Sequence, residues 1–222
     1  MSRSRSRMPK RPIKPTDSAA KLIPDHPTLP KIRDAARDCQ ACELYKRGTQ
    51  TVFGDGTPAA EVMLVGEQPG NDEDVSGHPF VGPAGKLLDR ALEAAGIDRS
   101  TVYVTNVVKH FKWEPRGKRR IHKKPSAGEI AACRPWLDTE IELVKPRVIV
   151  CLGATAAQAL LGREFKVTAH RGEFVPSSLA PRVLATVHPS SILRAPDDET
   201  RREEMKRFTD DLRKVRKALS SA

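Results

Sequence analysis

No apolar run in the sequence approaches the length needed to cross a bilayer. The first residues, MSRSRSRMPKRPIKP, contain no hydrophobic segment from which a secretory signal could be built. Both absences favour a cytoplasmic protein with no membrane partner. Acidic residues are also in short supply, with 28 Asp and Glu against 39 Lys and Arg, for a formal net charge of +11. So large a surplus calls for a polyanion, which leaves nucleic acid as the expected partner. A nucleotide-dependent enzyme is disfavoured as well. The stretch Gly66-Glu-Gln-Pro-Gly has neither the Lys-Ser/Thr of a phosphate loop nor the third glycine of a dinucleotide fingerprint. There is no internal repeat.

Cysteine is scarce, and the four that occur are unevenly spaced. Cys39 and Cys42 form a C-x-x-C pair, while Cys133 and Cys151 lie far downstream. In a cytoplasmic chain, cysteines bind metals or react more often than they form disulfides. Four thiolates can hold zinc or an iron–sulfur cluster. The wide separation of the second pair favours a structural cluster, wedged against the domain, over a compact zinc ribbon. The alternative is that Cys133 and Cys151 are small hydrophobes, since both sit on apolar faces.

With 222 residues, the chain suits one domain with tails. Residues 1–30 hold seven Lys or Arg and two Asp among Ser and Pro, the composition of a disordered basic arm. Residues 31–220 then alternate strand-like and helix-like segments. Short apolar runs beginning at Glu61, Thr101, Arg147 and Arg182 read as buried strands. Leu87, Leu88, Ala91, Leu92 and Ala95 keep helical spacing up to Gly96. Ser126 and Glu129 form a capping box ahead of a helix that turns Ile130, Cys133, Leu137, Ile141 and Val144 inward. An Ala-rich helix begins near Ala154, and a last helix carries Met205, Phe208, Leu212, Val215 and Leu219 as one stripe. This alternation predicts an α/β fold, with a mostly parallel sheet and helices on both faces. Ligands bind such sheets beyond the carboxyl ends of the strands. That rule selects the stretches at Gly66, at Asn106, from Gly153 onward, and at His188.

The ordered set Gly66-Glu-Gln-Pro-Gly, His78-Pro-Phe-Val-Gly-Pro-Ala-Gly, Thr105-Asn-Val-Val-Lys and His188-Pro-Ser resembles the iron–sulfur uracil-DNA glycosylases, often called family 4. The cysteine spacing resembles theirs too, from Cys39 onward. Two features depart from that pattern: Gln68, where a small residue is usual, and the segment Gly117-Lys-Arg-Arg-Ile-His-Lys-Lys. Both look like the X-type uracil-DNA glycosylases (UdgX), which attach covalently to uracil-containing single-stranded DNA through the histidine of a KRRIH loop. Here that string runs from Lys118 to His122.

The resemblance implies a three-layer α/β/α sandwich with a four-stranded parallel sheet. It also implies a 4Fe-4S cluster on Cys39, Cys42, Cys133 and Cys151. The chain is then expected to act as a monomer beside the nucleoid, on uracil-containing, single-stranded DNA. Charge develops on both sugar and base as the N1–C1′ bond opens, so a site for this chemistry needs stabilisers for each. Phe80 offers a face for the flipped base. The Asn106 amide matches uracil O4 and N3–H, a pattern that cytosine reverses. His188 is suited to donate to O2, and backbone N–H groups near Gln68 and Gly70 are expected to support the pocket beside Gly66. The bland alternatives are a core phenylalanine, a capping asparagine and a turn histidine.

Between Lys109 and Lys124 there are eight Lys or Arg and one Glu. Taken alone, that stretch, Lys118, Arg119 and Arg120 included, reads as a phosphate grip. Its cations would also keep His122 neutral and nucleophilic. By resemblance, Glu67 is the partner that orients the ring and accepts its proton, and Gln68 helps to place the loop or the sugar.

Overall fold

The computed structural model describes residues 18–220. The part of the expected basic arm before residue 18 lies outside them. Residues 18–30, however, are not an arm. Ser18 caps a 3-10 turn, Ala19–Leu22, whose Ala19 is fully buried, and Leu29 begins a helix, α1 (Leu29–Ala36), N-capped by Thr28. The apolar positions Ala19, Leu29 and Ile32 join the main core, which composition alone did not reveal.

The four expected strands are present as β1 (Val62–Gly66), β2 (Val102–Asn106), β5 (Val148–Leu152) and β7 (Arg182–Thr186). They pair in parallel in the order β2-β1-β5-β7, and β6 (Phe174–Val175) adds a short antiparallel edge next to β7. Every residue of β1, β2 and β5 is buried, as expected of a sheet covered on both faces.

Side-chain alternation sends Met63, Val65, Tyr103, Ile149 and Cys151 into one core. Val62, Leu64, Val102, Val104, Val148 and Val150 enter the other. The first core packs under α1 and α4 (Ala127–Val144). The second lies under α3 (Pro83–Ala95), α7 (Pro189–Leu193) and α8 (Asp198–Ser220). The α4 capping box forms as expected, with Ser126 N–H donating to Glu129 Oε2 at 2.6 Å and Glu129 N–H to Ser126 Oγ at 3.3 Å. Gly96 closes α3 at φ 74°, a left-handed position. Among the described residues, no helix is long and apolar enough to cross a membrane.

The basic stretch is not a loop. β3 (Trp113–Arg116) and β4 (Arg119–His122) form a separate antiparallel hairpin, with Arg116 opposite Arg119 and Trp113 opposite His122. Gly117 (φ 59°) and Lys118 make its two-residue turn. Regular pairing was hidden by the charge, because Arg116, Arg119 and Arg120 supply none of the alternating hydrophobicity that announces a strand.

Candidate active site

β1 is flanked by β2 on one side and β5 on the other, so the order in which strands are added reverses at β1 and a crevice opens beyond its carboxyl end. That crevice holds a cavity of about 870 Å³. Glu67, Gln68, Gly70, Phe80, Asn106, His122 and His188 all line it, together with Gly153 and Thr155 at the start of α5 (Ala154–Leu161). The four stretches selected from sequence therefore meet at one place.

Gly66 lies behind the cavity. A Cβ at this position would stand 2.4 Å from Asn106 Oδ1 and 2.7 Å from Phe80 Cζ, so glycine lets the amide and the ring meet over the strand end. Phe80 itself has a left-handed backbone (φ 58°), costly for an aromatic residue. Its carbonyl occupies the space a Cβ on Gly85 would need. The ring lies 6.1 Å from that of His188, at 31°. Phe80 is buried in the second core and also lines the cavity.

His188 N-caps α7, its Nδ1 accepting from Ser190 N–H at 3.1 Å. A ring nitrogen that accepts carries no proton, so the neutral ring bears its hydrogen on Nε2. Burial, then Arg194, then His122 push its pKa down to about 4. Arg194 lines the cavity and was missed in the sequence, where it stands isolated after a short helix.

Glu67 accepts a hydrogen bond from Thr155 Oγ1, and its other oxygen stands 3.5 Å from His122 Nε2. The His122 pKa is lowered chiefly by burial. Glu67 opposes that shift, and Arg194 reinforces it. The depressing cation is thus Arg194, and not the KRR residues credited from sequence. The His122 ring lies 6.1 Å from the ring of Phe111.

Gln68 is buried and joins the two ends of the hairpin. Its Nε2 donates to Lys112 O (3.2 Å) and Lys123 O (3.1 Å), while its Oε1 accepts from Lys112 N–H (3.2 Å). Gly70 does not offer its N–H to the cavity, contrary to expectation: that group donates to Glu73 Oε2 at 3.0 Å. Glu73 Oε1 accepts from Gly82 N–H at 2.8 Å, so one buried carboxylate ties two walls together.

The cations of the hairpin divide by face. Arg120 and His122 share one side of β4, and Arg119 and Ile121 the other. Arg120 is no free phosphate grip. It pairs with the buried Asp74 at 2.6 Å, donates to Asn71 Oδ1 at 2.8 Å, and lies over Phe111 and Trp113. Lys109 is buried as well and bonded to Glu140. Lys118 and Arg119 are exposed near the turn and do not line the cavity.

All four cysteines are free thiols, and each is part of the first core or packs against it. Trp136 Nε1–H donates to Cys39 Sγ at 3.4 Å, and Lys109 N–H to Cys133 Sγ at 3.2 Å. Among the described residues, no three His, Cys, Asp or Glu side chains are gathered as a single metal ion would require. Burial pushes the Cys133 and Cys151 thiols up to about 12, so each stays protonated unless a metal replaces the proton.

A sequence profile described as Uracil DNA glycosylase superfamily matches residues 53–213. The type-4 uracil-DNA glycosylase of Thermotoga maritima is 39% identical over 172 residues, covering 77% of this chain and 86% of its own. That of Saccharolobus solfataricus is 38% identical over 201 residues, 87% of each chain. The type-5 uracil-DNA glycosylase of Pyrobaculum aerophilum is 30% identical over 183 residues, covering 75% and 77%.

Proposed function

The chain belongs to the uracil-DNA glycosylase superfamily, and from that premise we propose that it excises uracil from DNA and then joins itself to the exposed sugar through His122. Uracil-DNA glycosylase activity follows from the membership. The covalent step is supported by one observation above the others, the 3.5 Å approach of His122 Nε2 to Glu67 in the wall of the same cavity as Asn106 and His188.

The uracil base enters against Phe80, with Asn106 matching O4 and N3–H and His188 Nε2–H meeting O2. The N1–C1′ bond breaks, and its electron pair stays with the base as an anion that these donors stabilise. The neutral His122 ring attacks C1′ with the lone pair of its unprotonated nitrogen, and Glu67 takes the proton of the imidazolium so formed. The proton goes on to the departing uracil, so no water is consumed. Imidazole bonded to C1′ has no easy leaving path, and each protein molecule reacts once. Gln68 serves this step by holding both ends of the hairpin.

Single-stranded DNA suits the site, because a base outside a duplex requires no unpairing. The protein acts as a monomer, with Lys118 and Arg119 on the outer hairpin gripping phosphates. Arg120 braces the hairpin from beneath.

The four cysteines would hold a 4Fe-4S cluster. Their thiols share one core, and two of them already receive N–H groups of the kind that stabilise thiolate ligands. The wide separation of Cys133 and Cys151 from the C-x-x-C pair in the sequence favours such a cluster over a compact zinc ribbon. When bound, it would tie the segment around Cys39 to the sheet. Equal amounts of iron and sulfide in the purified chain are expected, and zinc in their place would refute this assignment.

A second reading, favoured by the type-4 relatives, is conventional hydrolysis with Glu67 orienting water. Counting released uracil separates the two. With substrate in large excess, the covalent reading yields one uracil per protein and then stops. Continued release would establish hydrolysis.

A further inference from the structure

Lys109 was counted in the sequence among the cations of the basic stretch, yet it lies beneath the active site, 1% exposed and bonded to a carboxylate that is 0% exposed. Its Nζ donates to Glu140 Oε2 at 2.5 Å, to Thr105 Oγ1 at 2.6 Å and to the Asn106 carbonyl at 2.8 Å. An ammonium has three N–H bonds, and all three are used. Glu140 is equally engaged, accepting from Tyr103 OH (2.9 Å), Gly54 N–H (3.0 Å) and Thr105 Oγ1.

Burying both charges is expensive, and an apolar pair of similar volume is commonly as stable or more so. The pair therefore adds geometry to the fold more than stability. The geometry concerns one residue, Asn106, the last of β2. Among the described residues, β2 is the edge of the sheet, with only the Asp55–Val104 bridge on its outer side. Past that bridge, the carbonyl of Asn106 is held by Lys109. On the inner side, the Asn106 amide lies against Gly66, where any larger residue would displace it. Backbone and side chain of the same residue are thus fixed from opposite sides.

We propose that the buried Lys109–Glu140 pair is a positioning device for Asn106, setting from beneath the amide that distinguishes uracil from cytosine. The proposal rests on the reading of Asn106 as the residue that meets the edge of the base. Neither Lys109 nor Glu140 lines the cavity, so both act through Asn106.

Binding discrimination tests it without demanding turnover. Affinities are measured for single-stranded oligonucleotides carrying 2′-fluoro-2′-deoxyuridine, whose fluorine slows bond cleavage, or the matching cytidine. Lys109→Met/Glu140→Gln keeps acceptors for Gly54 and Tyr103 while removing both charges. It is expected to lose roughly tenfold of the uracil-over-cytosine preference with little change in cytidine binding. Asn106→Ala alone should lose at least as much, and adding it to the double variant should give no further loss beyond that of Asn106→Ala. A double variant that discriminates as well as the parent, or losses that simply multiply, would overturn the positioning role. A parent chain with no preference for uracil would instead overturn the underlying reading of Asn106. Should thermal unfolding show the double variant to be unfolded, Lys109→Arg replaces it. That variant retains the charge, but its planar fork cannot repeat the three-way bonding, and the same loss of preference is expected.

Discussion

Nε2 of His122 stands 3.5 Å from Oε1 of Glu67, although the two residues are 55 positions apart and only one of them belongs to the hairpin. Glu67 follows the first strand of the parallel sheet, whereas His122 ends the second strand of the hairpin. The Gln68 side chain joins these structures, bonding the hairpin immediately before and after its paired residues. Gln68 and His122 are thereby parts of one arrangement.

Replacing Glu67 with Gln keeps an oxygen for Thr155 but removes the base that takes the His122 proton. Covalent capture is expected to slow by about 10²–10⁴-fold, the usual contribution of a positioned base. Rapid-quench sampling of the adduct measures this directly, and an undiminished rate would remove Glu67 from the step.

Gly66→Ala would place a methyl group 2.4 Å from Asn106 Oδ1 and 2.7 Å from the Phe80 ring. Overpacking of this kind costs about 1–3 kcal/mol in stability. Uracil excision is expected to fall by at least roughly tenfold, because two recognition groups must move together. Single-turnover excision assays and thermal unfolding on the same variant compare the two effects.

Acid should silence capture before it unfolds the site. His122 titrates below its ordinary value of 6.5, and only its neutral form can attack. His188 stays neutral down to about 4. The capture rate should therefore be flat from pH 8 to about 6.5 and fall at lower pH as imidazolium forms. A rate that already declines between pH 8 and 7 would contradict the lowered His122 pKa.

The two central arginines of the KRRIH string should behave differently. Arg120→Ala leaves the buried Asp74 without its cation and is expected to cost about 1–3 kcal/mol in stability, with slower capture as the hairpin loosens. Arg119→Ala should leave stability unchanged. It should weaken DNA binding regardless of base and reduce the salt slope by roughly one. Thermal unfolding and salt titrations of binding compare the two variants.

The parallel strands were legible because each is an unbroken apolar run, and α3 and α4 because their periodicity and caps agree. Other features depend on contacts between distant residues. Nothing local distinguishes Arg119 from Arg120, or marks Lys109 as buried; Asp74 and Glu140 decide both, from 46 and 31 positions away. Ser18 to Pro30 resembled a tail because its few apolar residues are enough to dock it, but too few to form a pattern. Backbone N–H groups near Gln68 and Gly70 were expected to support the pocket, and Glu73 takes the Gly70 N–H from three residues later. Thr155 and Arg194 carried no signal of their own and matter through what they touch.

Bonding of His122 to the abasic sugar is tested most directly by a denaturing gel. The purified chain is incubated with an end-labelled single-stranded oligonucleotide containing one uracil, beside a thymine control and a His122→Ala variant, then heated in detergent. A slow band is expected only with uracil and only when His122 is present, surviving denaturation as a bond to C1′ must. Free uracil without that band, or an equal band from His122→Ala, would rule out covalent capture by His122.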